Sequence, residues 1–378
     1  MGNKLVFLMN PVSGTTNKAD LRSVIEKHLD REKIDHEFFP TDPTGAYEQL
    51  KKRISNENIT RLVVVGGDGT VSQITNSLRH LPVDFAVIPA GSGNGFARAA
   101  NISSEPIQAL QTAIHGQASF VDAFEINGHF SCMLSGIGFD AEVAHDFART
   151  KKRGLWTYVR ISASHFLNAV EYPFVLKIDG REINTEAYFI SIANGNQFGN
   201  NFTIAPKASL TDGLLDIIVV QKMSKLQVLA SVFYQMKYGD VQEGIFKKQG
   251  VLYFQASELE IHNPKLAPLH VDGDPAESDR KIKVKILPSV IRLVRLVSGR
   301  STKPTGRVTT ARARAAYIFR ARKRLRAEPP VIPRTSRAKT MTASIVLLPV
   351  GIILGLSGVA IVIGGLFAPA DTVPPADR

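Results

Sequence analysis

The sequence predicts an α/β plus β fold: an N-terminal parallel α/β domain, a C-terminal β-sandwich domain, then a disordered basic linker and one transmembrane helix. Three observations carry this. Glycine-rich turns follow three apolar runs early in the chain; short β-type runs dominate after about Phe120; and a basic stretch after Gly299 leads into an uncharged apolar segment.

Residues 4 to 122 alternate strand and helix signals. Lys4 to Met9, Arg61 to Val65 and Phe85 to Ile88 are near-continuous apolar runs of the kind that parallel strands bury on both faces. Between the first two, Leu21, Val24, Ile25 and Leu29 fall on one helical face, which gives a parallel α/β unit.

From about Phe120 to Ile261 the runs Phe124 to Leu134, Pro173 to Ile178, Ala187 to Ala193, Leu214 to Val220 and Val251 to Phe254 read as strands. Helical stretches near Leu155 to Val170 and Ser224 to Tyr238 interrupt them. A β-sandwich fits this pattern.

The tail differs in kind. Residues 300–342, rich in Arg, Ala, Pro and Thr, have too little apolar surface to fold alone and read as a disordered linker. Residues 343–368 follow, and Ser344 to Phe367 contains no charge. A bilayer core of about 30 Å needs ~20 apolar residues, so this segment is expected to span a membrane. A buried helix or a misread reading frame stays open as the alternative. With basic residues on its near side, the span predicts a cytoplasmic, membrane-associated domain carrying a C-terminal single-pass anchor.

Charge excludes one class of function. The chain has 378 residues and a net charge of +12, but residues 300–378 hold 14 of the 46 Lys and Arg and 3 of the 34 Asp and Glu, which is +11 of the total. The globular part is nearly neutral, so a nucleic-acid partner is not expected. The single cysteine, Cys132, rules out an intramolecular disulfide and reads as a small core residue. No His-Glu-x-x-His spacing occurs. The N-terminus enters a strand within a few residues, so no cleavable signal peptide is expected.

Three loops carry the chemistry. Asn10-Pro11-Val12-Ser13-Gly14, Gly66-Gly67-Asp68-Gly69-Thr70 and Gly91-Ser92-Gly93-Asn94-Gly95 each follow an apolar strand. Alone, each is a turn between strand and helix. Together, at the carboxyl ends of parallel strands, they mark the edge where open α/β sheets bind ligands, and helix N-termini there favour phosphate. No Gly-Lys-Ser/Thr ends any of them, so this is neither a Walker loop nor the dinucleotide fingerprint.

At these residues the chain resembles the diacylglycerol kinase-like lipid kinases, which include sphingosine and ceramide kinases and share a glycine-rich loop with NAD kinases. The resemblance runs from Lys4 to Leu296. It continues through Gly136-Ile137-Gly138-Phe139-Asp140, Ile204-Ala205-Pro206 with Asp212-Gly213-Leu214-Leu215-Asp216, and Asp272-Gly273-Asp274-Pro275. It implies that residues 280–297 return to complete the first domain (1–122 plus 280–297) around a second domain at 123–279. It also implies ATP and Mg²⁺ as cofactors, a membrane lipid as substrate and partner, and a place in lipid metabolism; it leaves a homodimer open.

By that resemblance, Asn10, Ser13, Gly14, Thr41, Gly66, Gly67, Asp68, Gly69, Thr70, Ser92, Gly93 and Asn94 contact the nucleotide. Asp68, Asp272 and Asp274 are the candidate catalytic acids, since phosphoryl transfer needs a carboxylate to take the proton of the attacking hydroxyl. Asp274 stands where diacylglycerol kinases have Glu. Asp212, with Ser209 and Leu214, matches an oxygen-only Mg²⁺ site, although Asp212-Gly213 is also a hairpin signal. Asp140 falls where sphingosine kinases carry an acid for the lipid headgroup, ahead of the basic run Arg149 to Arg153. Gly95 replaces an acid usual in bacterial diacylglycerol kinases, which draws the loop towards the sphingosine and ceramide kinase form.

Two readings follow. One is an ATP-dependent lipid kinase with a diacylglycerol or sphingoid acceptor at the cytoplasmic membrane face. The other is a nucleotide- or lipid-binding module with weak turnover, motivated by Gly95 and Asp274. Retention of Asp68, Asp212 and Asp272 argues for activity, and NAD kinase is the weaker enzyme reading.

Overall fold

The computed structural model describes residues 4–10, 18–57, 59–149, 162, 165–166, 168–199, 202–203, 205–225 and 250–296. Strands β1 (Leu5–Met9), β2 (His36–Pro40), β3 (Arg61–Gly66) and β4 (Asp84–Pro89) form a parallel sheet in the order β2-β1-β3-β4. β1 is buried at every position, and β3 and β4 at all but their first, so the apolar runs have no solvent face on which to alternate.

Helices α1 (Lys18–Glu32), α2 (Glu48–Asn56), α3 (Asp68–Leu78), α4 (Gly95–Ala99) and α5 (Pro106–His115) alternate with these strands or follow them. Leu21, Ile25 and Leu29 of α1 are buried as expected, but Val24 is 47% exposed, so the buried stripe is narrower than its spacing suggests. α5 starts with Pro at its first turn, and the Glu105 carboxylate accepts the Gln108 N–H at 2.8 Å, satisfying one donor that the helix leaves open.

The second region comprises β5 (Gln117–Ile126), β6 (His129–Ser131), β7 (Leu134–Gly138), α6 (Phe139–Arg149), β8 (Tyr172–Ile178), β9 (Arg181–Ala193), β10 (Gln197–Gly199), β11 (Phe202–Thr203), β12 (Leu215–Gln221), β13 (Val251–Ala256), β14 (Glu258–His262), β15 (Leu269–Val271) and β16 (Asp274–Ala276). The run Phe124 to Leu134 is not one strand. Asn127 and Gly128 both have positive φ, 47° and 81°, and turn β5 back on β6. Two positive φ values are the signature of the tight hairpin turn, and Asn-Gly is its preferred sequence. The expected helices near Leu155 to Val170 and Ser224 to Tyr238 lie largely outside the described residues.

β17 (Lys281–Arg295) joins the two regions. Its first part pairs antiparallel with β14, Leu293 pairs parallel with Phe85 of β4, and β5 runs antiparallel along most of its length. The register with β5 shifts between Leu287 and Ile291, where Ser289 has φ 57°. One apolar core lies around β1, β3, β4 and their helices, with Phe7, Ile25, Leu62 and Phe85 inside. A second lies between the strands of the β-rich region, around Phe124, Phe174, Ile190, Ile217 and Ile261.

The expected location needs correction. Among the described residues no helix is long and apolar enough to cross a membrane. The longest of them, α1, has 15 residues and a largely charged surface, against the ~20 apolar residues a span requires. The linker and span expected at 300–342 and 343–368 lie outside the described residues. The cytoplasmic, membrane-associated location with a C-terminal anchor therefore has no structural support and is withdrawn.

The edge strand β2 is tied to the sheet by charge. Glu37 accepts from Arg53 at 3.0 and 2.9 Å and pairs with Lys4 at 2.7 Å. The Arg53 guanidinium first, and Lys4 after it, hold the Glu37 carboxyl down at about 2. A carboxylate lowered in the fold contributes stability above its unfolded pKa and loses it as pH falls through the folded value. Wild type should therefore melt above Glu37→Gln at pH 7, with the gap closing between about pH 4.5 and pH 2; a gap that persists unchanged at pH 2 contradicts this.

Candidate phosphoryl-transfer site

The site grows out of the carboxyl ends of β1, β3 and β4. The Asn10 side-chain amide donates to Thr70 Oγ1 at 3.2 Å, which joins the first loop to the second, and the Thr41 N–H donates to the Met9 carbonyl at 3.2 Å, which holds Thr41 at the end of β1. Gly66 cannot be replaced without cost, because a Cβ there would stand 2.7 Å from Thr70 Cβ. Ser13 and Gly14 lie outside the described residues.

The two remaining glycine loops touch backbone to backbone. A Cβ on Gly91 would lie 2.5 Å from Gly67 Cα, and one on Gly67 would lie 3.1 Å from Gly91 Cα. Gly67 caps α3, whose first-turn N–H groups have no partner within the helix. Asn94 closes the other loop on itself: Gly91 N–H donates to its Oδ1 and its Nδ2 donates to the Gly91 carbonyl, both at 2.9 Å. Its φ is 55°, a left-handed conformation that Asn tolerates better than most residues. Ser92 is exposed at the rim and Gly93 partly so.

The three candidate acids sit differently. Asp68 is partly buried, and its two oxygens accept the N–H groups of Gly95 and Phe96, each at 2.9 Å. It thereby caps α4 and clamps the Gly91 loop onto α3. Burial pushes its carboxyl up, and the Asp272 charge adds to this, against those two N–H groups. Asp272 lies in the turn between β15 and β16, where its carboxylate accepts Ser131 Oγ at 2.6 Å and the backbone N–H groups of Cys132, Met133 and Leu134 at 3.1 to 3.2 Å. Asp274, the first residue of β16, is exposed, and its Oδ2 is 3.4 Å from the point where a Cβ on Gly69 would stand. The hairpin tip thus overhangs the first turn of α3.

Asp140 lies in the first turn of α6 and is buried rather than open to a ligand. Its Oδ2 accepts Ser191 Oγ at 3.0 Å and meets His270 Nε2 at 3.3 Å. Of the basic run behind it, Thr150 to Arg153 lies outside the described residues.

Ser209, Asp212 and Leu214 share one turn, in which Gly213 has φ 71° and the Leu214 N–H donates to Asp212 Oδ1 at 3.2 Å. All the donors it offers are oxygens, the set that Mg²⁺ takes. Among the described residues no group of three or more His, Cys, Asp or Glu side chains converges, so a cation here depends on backbone carbonyls as well. Asp216, two residues on, has a buried Oδ2 without a hydrogen-bond partner among the described residues. Its carboxyl is pushed up to about 7 by burial first, with Asp212 adding to it and hydrogen bonds from Tyr253 and Gln255 opposing. A nearby cation would relieve that strain, so the residues present fit one.

Residues 4–126 match the family model described as the diacylglycerol kinase catalytic domain, and residues 134–295 match the YegS C-terminal NAD kinase beta sandwich-like domain. The chain belongs to the diacylglycerol kinase-like lipid kinases. A protein of Shewanella frigidimarina named "Probable lipid kinase YegS-like" is 28% identical over 245 residues, covering 63% of this chain and 77% of that one. One of the same name from Chromohalobacter salexigens is 26% identical over 251 residues, 65% and 79% of the two chains. The crystal structure of a diacylglycerol kinase from Bacillus anthracis aligns with TM-score 0.60 at 20% identity, over 78% of this chain and 97% of that one, and so shares the fold.

Sequence reasoning missed two buried residues of this kinase. Asp122 on β5, 1% exposed, accepts the N–H groups of Gly213 at 2.9 Å and Ser289 at 2.7 Å, fastening the Asp212 turn to the bend in β17. His270 on β15, 1% exposed, bridges Asp140 and the hairpin tip. Asp122 lies between Val121 and Ala123, and His270 between Leu269 and Val271, and a polar residue without periodicity looks like surface. The only available signal was a charged or polar side chain inside an otherwise apolar run.

The contact between the glycine loops generates a prediction. In Gly91→Ala the added methyl meets backbone, which cannot move as a side chain does, so the cost is that of overpacking, roughly 1–3 kcal/mol. A melting temperature several degrees below wild type is expected in thermal denaturation; an unchanged one would show that the loops are not in contact.

Proposed function

We propose that this lipid kinase transfers the γ-phosphoryl group of ATP to the hydroxyl of a neutral glycerolipid, with Asp274 accepting the hydroxyl proton. The observation that carries the reading is the position of Asp274: exposed, on a fixed hairpin, beside Gly69 at the first turn of α3. Asp68 and Asp272 each receive backbone N–H donors at both oxygens, which suits holding loops better than accepting a proton.

The first turn of α3 and the Gly91 loop hold the phosphates with backbone donors, while Gly69, where a Cβ would meet nothing nearer than Asp274 Oδ2 at 3.4 Å, leaves room for close approach. Thr41 and Thr70 bring hydroxyl groups to the same edge, as Ser92 does at its rim. The acceptor oxygen bonds to the γ-phosphorus as its proton passes to Asp274, and the bond from that phosphorus to the bridging oxygen of ADP breaks. Mg²⁺ at Ser209, Asp212 and Leu214 would supply countercharge to the Asp212 and Asp216 carboxylates.

The acceptor class follows from Asp140. Recognition of a sphingoid amine needs a carboxylate that faces the ligand, and this one is buried and receives Ser191 and His270. A neutral diacylglycerol-type acceptor asks for no such charge. The test is purified protein with labelled ATP and Mg²⁺ against diacylglycerol, ceramide, sphingoid base and phosphatidylglycerol in mixed micelles. Diacylglycerol should take up label at least about 10-fold faster than sphingoid base, the scale of one lost polar contact. Label passing to the sphingoid base instead would contradict the acceptor assignment, and no transfer to any lipid would contradict the reaction.

A further inference from the structure

His270 is a buried histidine that the proposed reaction does not use. It stands on β15 opposite Gly136 of β7 on one side and Pro275 of β16 on the other. Its Nδ1 accepts the Gly273 N–H at 3.2 Å, and Gly273 is the residue between Asp272 and Asp274. A ring nitrogen that accepts carries no proton, so the hydrogen of the neutral ring is on Nε2, which faces Asp140 Oδ2 at 3.3 Å. Asp140 is fixed in turn by Ser191 Oγ at 3.0 Å.

Gly136 gives a second, independent sign that this bridge is built in. A Cβ at that position would collide with Asp140 Oδ2 and stand 2.6 Å from His270 Nε2, so the pair occupies space that only glycine leaves. The hairpin it holds needs an anchor. β15 and β16 have three residues each, and the turn residues Asp272 and Gly273 have φ 49° and 89°. Non-glycine residues in that region are strained and persist where surroundings hold them.

We infer that His270 is a positioning residue: anchored on Asp140 through Nε2, it accepts the Gly273 N–H at Nδ1 and so sets the height of Asp274 above Gly69. This rests on the proposed role of Asp274. Asp272 ties the same turn to the Ser131 hydroxyl and to the Cys132 to Leu134 backbone, and His270 holds the neighbouring peptide at Gly273. A misplacement of about 1 Å at a reacting group can cost up to about 10²-fold in rate.

The two ring nitrogens can be separated by substitution. In His270→Asn the side-chain oxygen takes the place of Nδ1 and can still accept from Gly273; in His270→Gln the amide reaches the Nε2 position and the acceptor at Nδ1 is lost. The inference predicts that His270→Gln lowers kcat about 10-fold or more with KM for ATP nearly unchanged, while His270→Asn keeps most of kcat even where its melting temperature drops. A purely structural histidine would make kcat follow melting temperature in both variants, and that result overturns the inference, as does wild-type kcat in His270→Gln.

Amide hydrogen exchange on nitrogen-15-labelled wild-type protein supplies a readout without variants or turnover. The Gly273 amide should be protected although it lies at an exposed turn, and fast exchange there overturns the inference. A protected amide in a protein that phosphorylates no lipid would sink the kinase reading and leave the bridge standing.

Discussion

The site depends on the approach of two backbones, at Gly67 and Gly91, to a distance that excludes any side chain. Strands β3 and β4 are neighbours in register, so the turns that follow them emerge side by side. Without Cβ atoms they close into one surface of peptide groups next to the first turn of α3. Backbone donors cannot swing away as side chains can, and phosphate recognition gains from that fixity.

Carboxylates hold this surface in place. Asp68 reaches from α3 to the first N–H groups of α4, Asp272 reaches from its hairpin to the segment between β6 and β7, and Asp122 reaches from β5 to Gly213 and Ser289. In each case an acid satisfies backbone donors that would otherwise be buried without partners, at a net cost of about 1–3 kcal/mol apiece if left open. Burial, with the Asp272 charge adding to it, raises the Asp68 carboxyl. Gly95 fits this scheme, since its N–H is one of the donors that Asp68 receives. An acid at that position is not required for the clamp.

Much of this was legible in the sequence. The parallel strands were, because strands buried on both faces have no polar alternation to hide them, and the glycine loops were, because only glycine allows such contacts. The family was legible from the order of its motifs. Composition could not show that β17 pairs with both β4 and β14, since a strand's partners depend on where the chain returns in space. Nor could it show which acids face inward. Asp68 and Asp272 were expected to act as catalytic acids and Asp140 to meet a lipid headgroup, and only three-dimensional neighbours reveal that both oxygens of Asp68 and Asp272, and Oδ2 of Asp140, are already taken. His270 and Asp122 were invisible for the same reason. Cys132, expected in the core, is buried, and burial pushes its thiol well up.

Three acids that the sequence presents as equivalent thus sit differently: Asp68 and Asp272 fasten loops, and Asp274 is the proposed proton acceptor. The most direct measurement is the turnover of Asp274→Asn in a protein whose melting temperature equals that of wild type. The account predicts kcat lower by about 10²-fold or more, the scale of a lost general base. Wild-type turnover in that variant would contradict it and return the proton-accepting role to Asp68 or Asp272.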